Sequence, residues 1–287
     1  MSIIELKNVC YVYGKKTPYQ INALENIDLR IEENCITGII GHTGSGKSTL
    51  IQMLNGLMKP DSGEVIVDGE NIWNKPKEIS KIRYKVGMVM QYPEYQLFAD
   101  TVGEDIAYGP KNMGLSNDEI NHRIEESARF CGIDAQTLQK SPFDLSGGQK
   151  RRVALAGVMA MRPKILVLDE PAAGLDPRGR REILGGICEY RKQSGTTVII
   201  VSHSMEDMAM YCDRLAVMSH GKLAMEGSCS EVFAQTEILK SAGLDVPEIS
   251  NIISALRLKG VKISRNIYTV DGAFSAICDY VRRSKNG

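Results

Sequence analysis

Polar and apolar positions trade places residue by residue near the start of the chain. Ile4-Glu5-Leu6-Lys7-Asn8-Val9 and Ala23-Leu24-Glu25-Asn26-Ile27-Asp28-Leu29-Arg30-Ile31 follow this pattern. It predicts half-buried antiparallel strands joined through the loop Gly14-Lys15-Lys16-Thr17-Pro18. Lys59 to Gly69 reads as a turn, a short strand and another turn. The pattern then tightens into short apolar runs, Ile36–Ile40, Val86–Met90 and Thr197–Val201. In Ile165-Leu166-Val167-Leu168 it has the composition of a central parallel strand. From Val102 to Ala160 the period becomes helical, with Ile120, Ile124, Ala128 and Cys131 on one face, and predicts an inserted helical subdomain over residues 95–160. Leu215–Met218, the turn Ser219–Lys222 and Gly227–Phe233 predict a closing hairpin and a capped helix. After residue 236, short helical patterns mix with the strand-like Val261-Lys262-Ile263 and Ile267-Tyr268-Thr269-Val270. Strands alternating with helices place the chain in the α/β class.

The most informative loop lies between two of the apolar runs. Gly41-His42-Thr43-Gly44-Ser45-Gly46-Lys47-Ser48, followed by Thr49, has the spacing G-x-x-x-x-G-K-S, with a strand pattern before it and a helix pattern after it. The glycines let several backbone N–H groups converge on one hollow, and the following helix adds its positive end, so a polyphosphate fits. Lys47 is placed to neutralise terminal phosphates, and the Ser48 hydroxyl is a hard oxygen ligand suited to Mg2+.

Polar groups just past the other apolar runs fall at the same expected sheet edge, where ligands of open α/β sheets bind. Gln91 follows one run, Asp169 and Glu170 end another, and His203 follows a third. Asp169 suits a metal held through water and Glu170 suits polarisation of an attacking water. His203 alone would be an ordinary structural histidine, but at that edge it is placed near a terminal phosphate. Tyr13 ends a strand; from its neighbours alone it is an edge tyrosine whose ring is also able to stack on a base. Leu145-Ser146-Gly147-Gly148-Gln149 enters a cationic helix. Those five residues fit an ordinary capped helix as well as they fit a second anion seat.

Composition narrows the partners. Lys plus Arg and Asp plus Glu are equal at 35 each, so no global basic field argues for nucleic acid. Seven cysteines are scattered without a C-x-x-C pair, which suits reduced structural thiols better than a disulfide framework or zinc site. No stretch approaches the roughly 20 apolar residues that span a bilayer. The N-terminus, with Glu5 and Lys7 inside its apolar pattern, does not read as a signal peptide.

Taken in order, GHTGSGKS, Gln91, LSGGQ, ILVLDE, Ala173-Gly174-Leu175-Asp176 and His203 resemble the ATP-binding subunits of ABC transporters over residues 1–235. YPEYQLF after Gln91, with AYGPKNMG and SPFDLSGGQKRRVALAGVMAM, looks like the second ATPase paralogue of energy-coupling factor (ECF) transporters. The resemblance implies a P-loop NTPase (RecA-like) core with an antiparallel β subdomain, the inserted helical subdomain, and a C-terminal appendage (residues 236–287) that helps hold a dimer. It implies ATP and Mg2+ as cofactors. Tyr13 then stacks on adenine, Gly41 to Thr49 hold the phosphates, and Ser48, Asp169 and Gln91 serve the metal. Glu170 is the base, and His203 the γ-phosphate switch. Ser146, Gly147, Gly148 and Gln149 close over ATP held by a second ATPase subunit, either a paralogue or another copy of this chain. Ala172 departs from the threonine common after D-E-P, at a position without assigned chemistry. Tyr92, Tyr95, Leu97 and Phe98 are expected to receive a transmembrane T component, with a separate S component choosing a vitamin or transition-metal ion. That places the chain at the cytoplasmic face of the cell membrane. A soluble ABC ATPase on nucleic acid or ribosomes would show basic patches or a long coiled-coil insertion, and a small-molecule kinase would leave LSGGQ without purpose.

Overall fold

The computed structural model describes residues 1–264 and 266–285. Alternation at the N-terminus becomes β1 (Ser2–Tyr13) and β2 (Ile21–Glu32), paired antiparallel. β3 (Ile36–Gly41) then leaves for a second sheet and runs through the glycine-rich loop into α1 (Lys47–Leu54). β4 (Ser62–Val67) and β5 (Glu70–Asn71) return to the first sheet, whose order is β2-β1-β4-β5. α2 (Ile79–Lys85) leads into β6 (Val86–Val89).

Three helices follow, α3 (Val102–Asn112), α4 (Asn117–Phe130) and α5 (Gly147–Met159). Each starts where a hydroxyl accepts a first-turn N–H, at Thr101, Ser116 and Ser146. The chain then alternates β7 (Ile165–Asp169), α6 (Pro177–Ser194), β8 (Thr197–Val201) and α7 (Met205–Tyr211) before the hairpin of β9 (Arg214–Ser219) and β10 (Lys222–Ser228). The second sheet is ordered β10-β9-β3-β8-β7-β6, parallel apart from the β10 edge. α8 (Cys229–Ala234) opens with a reciprocal cap between Ser228 and Glu231. It is followed by α9 (Thr236–Ser241), α10 (Glu248–Leu258) and α11 (Val270–Lys285). Among the described residues no helix is long and apolar enough to cross a membrane.

The apolar runs are explained by burial of both sheet faces. Ile39, Ile165, Val167, Ile199, Val201 and Met218 pack with α1 and the four-stranded sheet. Their neighbours in sequence, Ile40, Leu166, Leu168, Val198, Ile200 and Val217, pack on the other side against α5, α6 and α7. Successive strand residues point to opposite faces, so a strand covered on both sides needs a continuous apolar run.

The strand expectation for 261–270 is corrected. Val261-Lys262-Ile263 and Ile267-Tyr268-Thr269 are extended or irregular, and Val270 begins α11. β-Branched residues favour strands only where a partner strand completes the ladder. Here Ile263 and Ile267 instead join Ile253 and Ala273 in a small cluster between α10 and α11. Arg265 and residues 286–287 of the expected appendage lie outside the described residues.

Candidate nucleotide site

β3 ends at Gly41, between β8 and β9. The chain therefore turns at the carboxyl edge of a parallel sheet, where helices and strands leave an open crevice. The loop needs its glycines: Gly46 has φ +103°, and a Cβ there would lie 2.5 Å from the Ala23 carbonyl oxygen. It is pinned from outside as well. Ser45 is fully buried; its N–H donates to His42 O at 3.1 Å and its carbonyl accepts from Gly221 N at 3.1 Å.

The Lys47 ammonium donates to the carbonyls of Gly41 (2.6 Å) and His42 (2.9 Å). Burial pushes its pKa down, and the charges of Glu170 and Asp169 push it up. Asp169, at the end of β7, is buried. Burial and then the charge of Glu170 raise its carboxyl to about 6, with Lys47 pulling the other way. Glu170 has φ +52°, uncommon for a residue with a side chain and found where surrounding contacts over-determine the backbone. Its N–H donates to Val201 O at 2.9 Å. Its carboxylate accepts from Ser202 Oγ at 3.3 Å and from His203 Nδ1 at 2.8 Å. The Glu170 side chain is 14% exposed and the His203 side chain 78%, so a half-buried carboxylate is met by an exposed imidazole.

These groups share one open cavity of about 1160 Å³, lined by Tyr13, Gly41–Gly44, Gly46–Thr49, Gln91, Asp169, Glu170 and His203. Tyr13 stands at its rim, 41% exposed, with its hydroxyl 3.1 Å from Thr49 Oγ1. Ser146 to Gln149 are elsewhere. They form the capped start of α5, Ser146 Oγ accepting from Gln149 N at 3.3 Å while Gln149 Oε1 accepts from Ser146 N at 3.0 Å. None of the four lines the cavity. Sequence reasoning missed the opposite wall. Gly243 to Val246, Glu248 and Asn251 line it, and no motif marks them. It also missed the pairing of Glu94 with Arg151, whose only signal is a lone charge inside an aromatic stretch.

The sequence pattern of the ABC transporter family matches residues 24–173. "Energy-coupling factor transporter ATP-binding protein EcfA2" of Clostridium perfringens is 51% identical over 282 residues, 98% of this chain and 99% of that protein. The chain belongs to the ABC transporter ATP-binding family. Within this family it is an ATPase subunit of the energy-coupling factor type. The EcfA2 protein of Caldanaerobacter subterraneus is 49% identical, with 99% of each chain covered. Among solved ABC structures, cbiO1 from Clostridium perfringens, described as part of the ABC transporter complex cbiONQ, superposes with a TM-score of 0.75. It is 39% identical over 88% of this chain and 99% of that one. A dimeric ABC cassette bound to ADP and Pi, MJ0796, gives 0.71 at 30% identity, covering 79% of this chain and 98% of that one. As a member of this family the chain is an ATP-binding ATPase.

Proposed function

We propose that this chain supplies one half of each of two ATP sites in an ECF-type importer, and that a second ATPase subunit supplies the other half. The observation that carries the reading is the separation just described. The phosphate loop, Asp169, Glu170 and His203 share one cavity, while Ser146 to Gln149 cap a helix outside it. The first N–H groups of a helix lack intrahelical partners and suit an anion brought by another molecule. The dimeric relative bound to ADP and Pi is in keeping with this.

In the working site Tyr13 stacks on the base and Gly41 to Thr49 hold the phosphates. Ser48 and the Asp169 carboxylate offer hard oxygens. Burial and two charges are what perturb Asp169, with no hydrogen bond among the causes. That donor set fits Mg2+, and Gln91, which lines the same cavity, would serve it too; a metal held by these residues would supply positive charge against the phosphates. Lys47 adds a cation at the same end. Glu170 takes a proton from the attacking water, and His203 orients Glu170 and meets the γ-phosphate. Tyr92, Tyr95 and Phe98, exposed by 53%, 85% and 60%, receive a transmembrane T component. Transport is of a vitamin or transition-metal ion chosen by an S component, with this chain peripheral on the cytoplasmic face.

Ser146→Arg in every ATPase copy of the complex tests the reading. ATP binding should persist while turnover falls about 10²-fold, the cost of losing transition-state donors. Turnover at the parental rate would refute the shared site.

A further inference from the structure

We infer that Arg151 is a positioning residue that links the Tyr92–Phe98 stretch to the loop following Glu170 through the start of α5. This rests on the reading of that stretch as the membrane partner's seat. The Arg151 side chain is 7% exposed and that of Glu94 16%. Glu94 stands in the short 3-10 turn Pro93–Gln96, between Gln91 and the exposed Phe98. Arg151 Nη2 donates to both Glu94 oxygens, at 3.0 and 3.2 Å, and Nε donates to Oε2 at 3.2 Å. The remaining prong, Nη1, donates to the Ala173 carbonyl. Ala173 N in turn donates to Glu170 O at 3.2 Å.

A planar guanidinium with all three nitrogens engaged cannot follow one partner without dragging or losing the other. Losing either in a buried setting strands a charge, so the three segments move together. α5 carries Ser146 at its start, and Gly148 lies close to Leu175, a Cβ there meeting Leu175 Cδ2 at 3.3 Å. A tilt imposed at Glu94 therefore reaches both the part offered to the partner's ATP and the loop carrying this chain's own Glu170. Arg152, the next residue, bonds Glu182 and the Cys131 carbonyl instead. It anchors α5 to α6 and the end of α4, which makes it the structural control.

The experiment uses the purified membrane complex and the same ATPase subunits stripped of their membrane component, with ATP as the probe. Arg151→Lys keeps the charge and loses the fork. It should leave KM for ATP near the parental value and lower the melting temperature, because a buried fork is broken, while the ratio of kcat in the complex to kcat in the stripped subunits falls about 10-fold. Glu94→Gln should do the same, and the double variant should add nothing further, because both break one link. Arg152→Lys should leave the ratio alone. If Arg151→Lys lowers both rates equally, or lowers stability with the ratio intact, Arg151 is only structural and the inference fails. Additive effects of the two single variants also overturn it. Tyr95→Ala with Phe98→Ala separates the premises. A parental ratio there sinks the docking reading, whereas a collapsed ratio there beside an unchanged ratio in Arg151→Lys sinks this inference alone.

Discussion

At Asp169 the proposed metal role and the requirements of folding oppose each other. Burial raises this carboxyl to about 6, so the folded protein holds a proton from about pH 4, where an unfolded aspartate loses it, up to about 6. Over that interval the folded state binds more protons than the unfolded one, and the stability contributed by Asp169 falls as pH rises. Asp169→Asn should therefore melt ~2–6 °C above the parent at about pH 7.5 without nucleotide, with the gap closing towards pH 4. It should also lose Mg2+-dependent turnover. Thermal scans at both pH values check this, and a variant no more stable than the parent at the higher pH contradicts it. In the proposed reaction Glu170 is the base. Glu170→Gln should lower ATP turnover about 10²- to 10⁴-fold with ATP affinity kept; phosphate release at the parental rate would remove it from the role of base. That Asp169, Glu170 and His203 gather at the phosphate loop was legible in the sequence, because each follows or ends an apolar strand run at the same sheet edge. Arg151 was not, since a buried ion pair 57 residues apart in sequence leaves no local trace.

Elements were legible where burial imposes a period. β7 and β8 are buried at every position, so each appears as an apolar run broken only by a terminal polar residue, Asp169 and Thr197, and the cap at Ser146 is written in Ser-x-x-Gln. The segment 261–270 failed because a β-branched run states only what a strand would accept; whether a neighbouring strand exists is decided elsewhere in the fold. Helix contacts are equally silent in sequence. α6 approaches the end of α4 so closely that a Cβ on Gly186 would sit 2.2 Å from the Phe130 carbonyl oxygen. Backbone cannot swing away as a flexible side chain does, so Gly186→Ala should destabilise the fold by about 1–3 kcal/mol. Urea unfolding with an unchanged slope and a lowered midpoint is the expected record. An unchanged midpoint would mean the two helices are less tightly apposed than this distance implies.

Across the whole molecule, the cavity draws on parts of the chain that the family pattern does not span. That pattern covers residues 24–173, yet Tyr13, His203 and the wall from Gly243 to Asn251 lie outside it. The wall is tied to the site. A Cβ on Gly243 would come within 3.6 Å of His42 Cβ, and Glu248 N donates to Glu206 Oε1 at 3.4 Å. A nucleotide seated between the two walls bridges the four-stranded sheet, the phosphate loop and the segment leading into α10. Ligand that binds only the folded state stabilises it by about 2.7 kcal/mol at a hundred times its dissociation constant. In Glu170→Gln, where ATP persists, that stabilisation should appear as slower amide exchange at both ends of the cavity, in peptides covering Tyr13 to Ala23 and in peptides covering Gly243 to Asn251. Protection confined to the first set and the phosphate loop would show that the C-terminal wall stands beside the nucleotide without contributing to its retention.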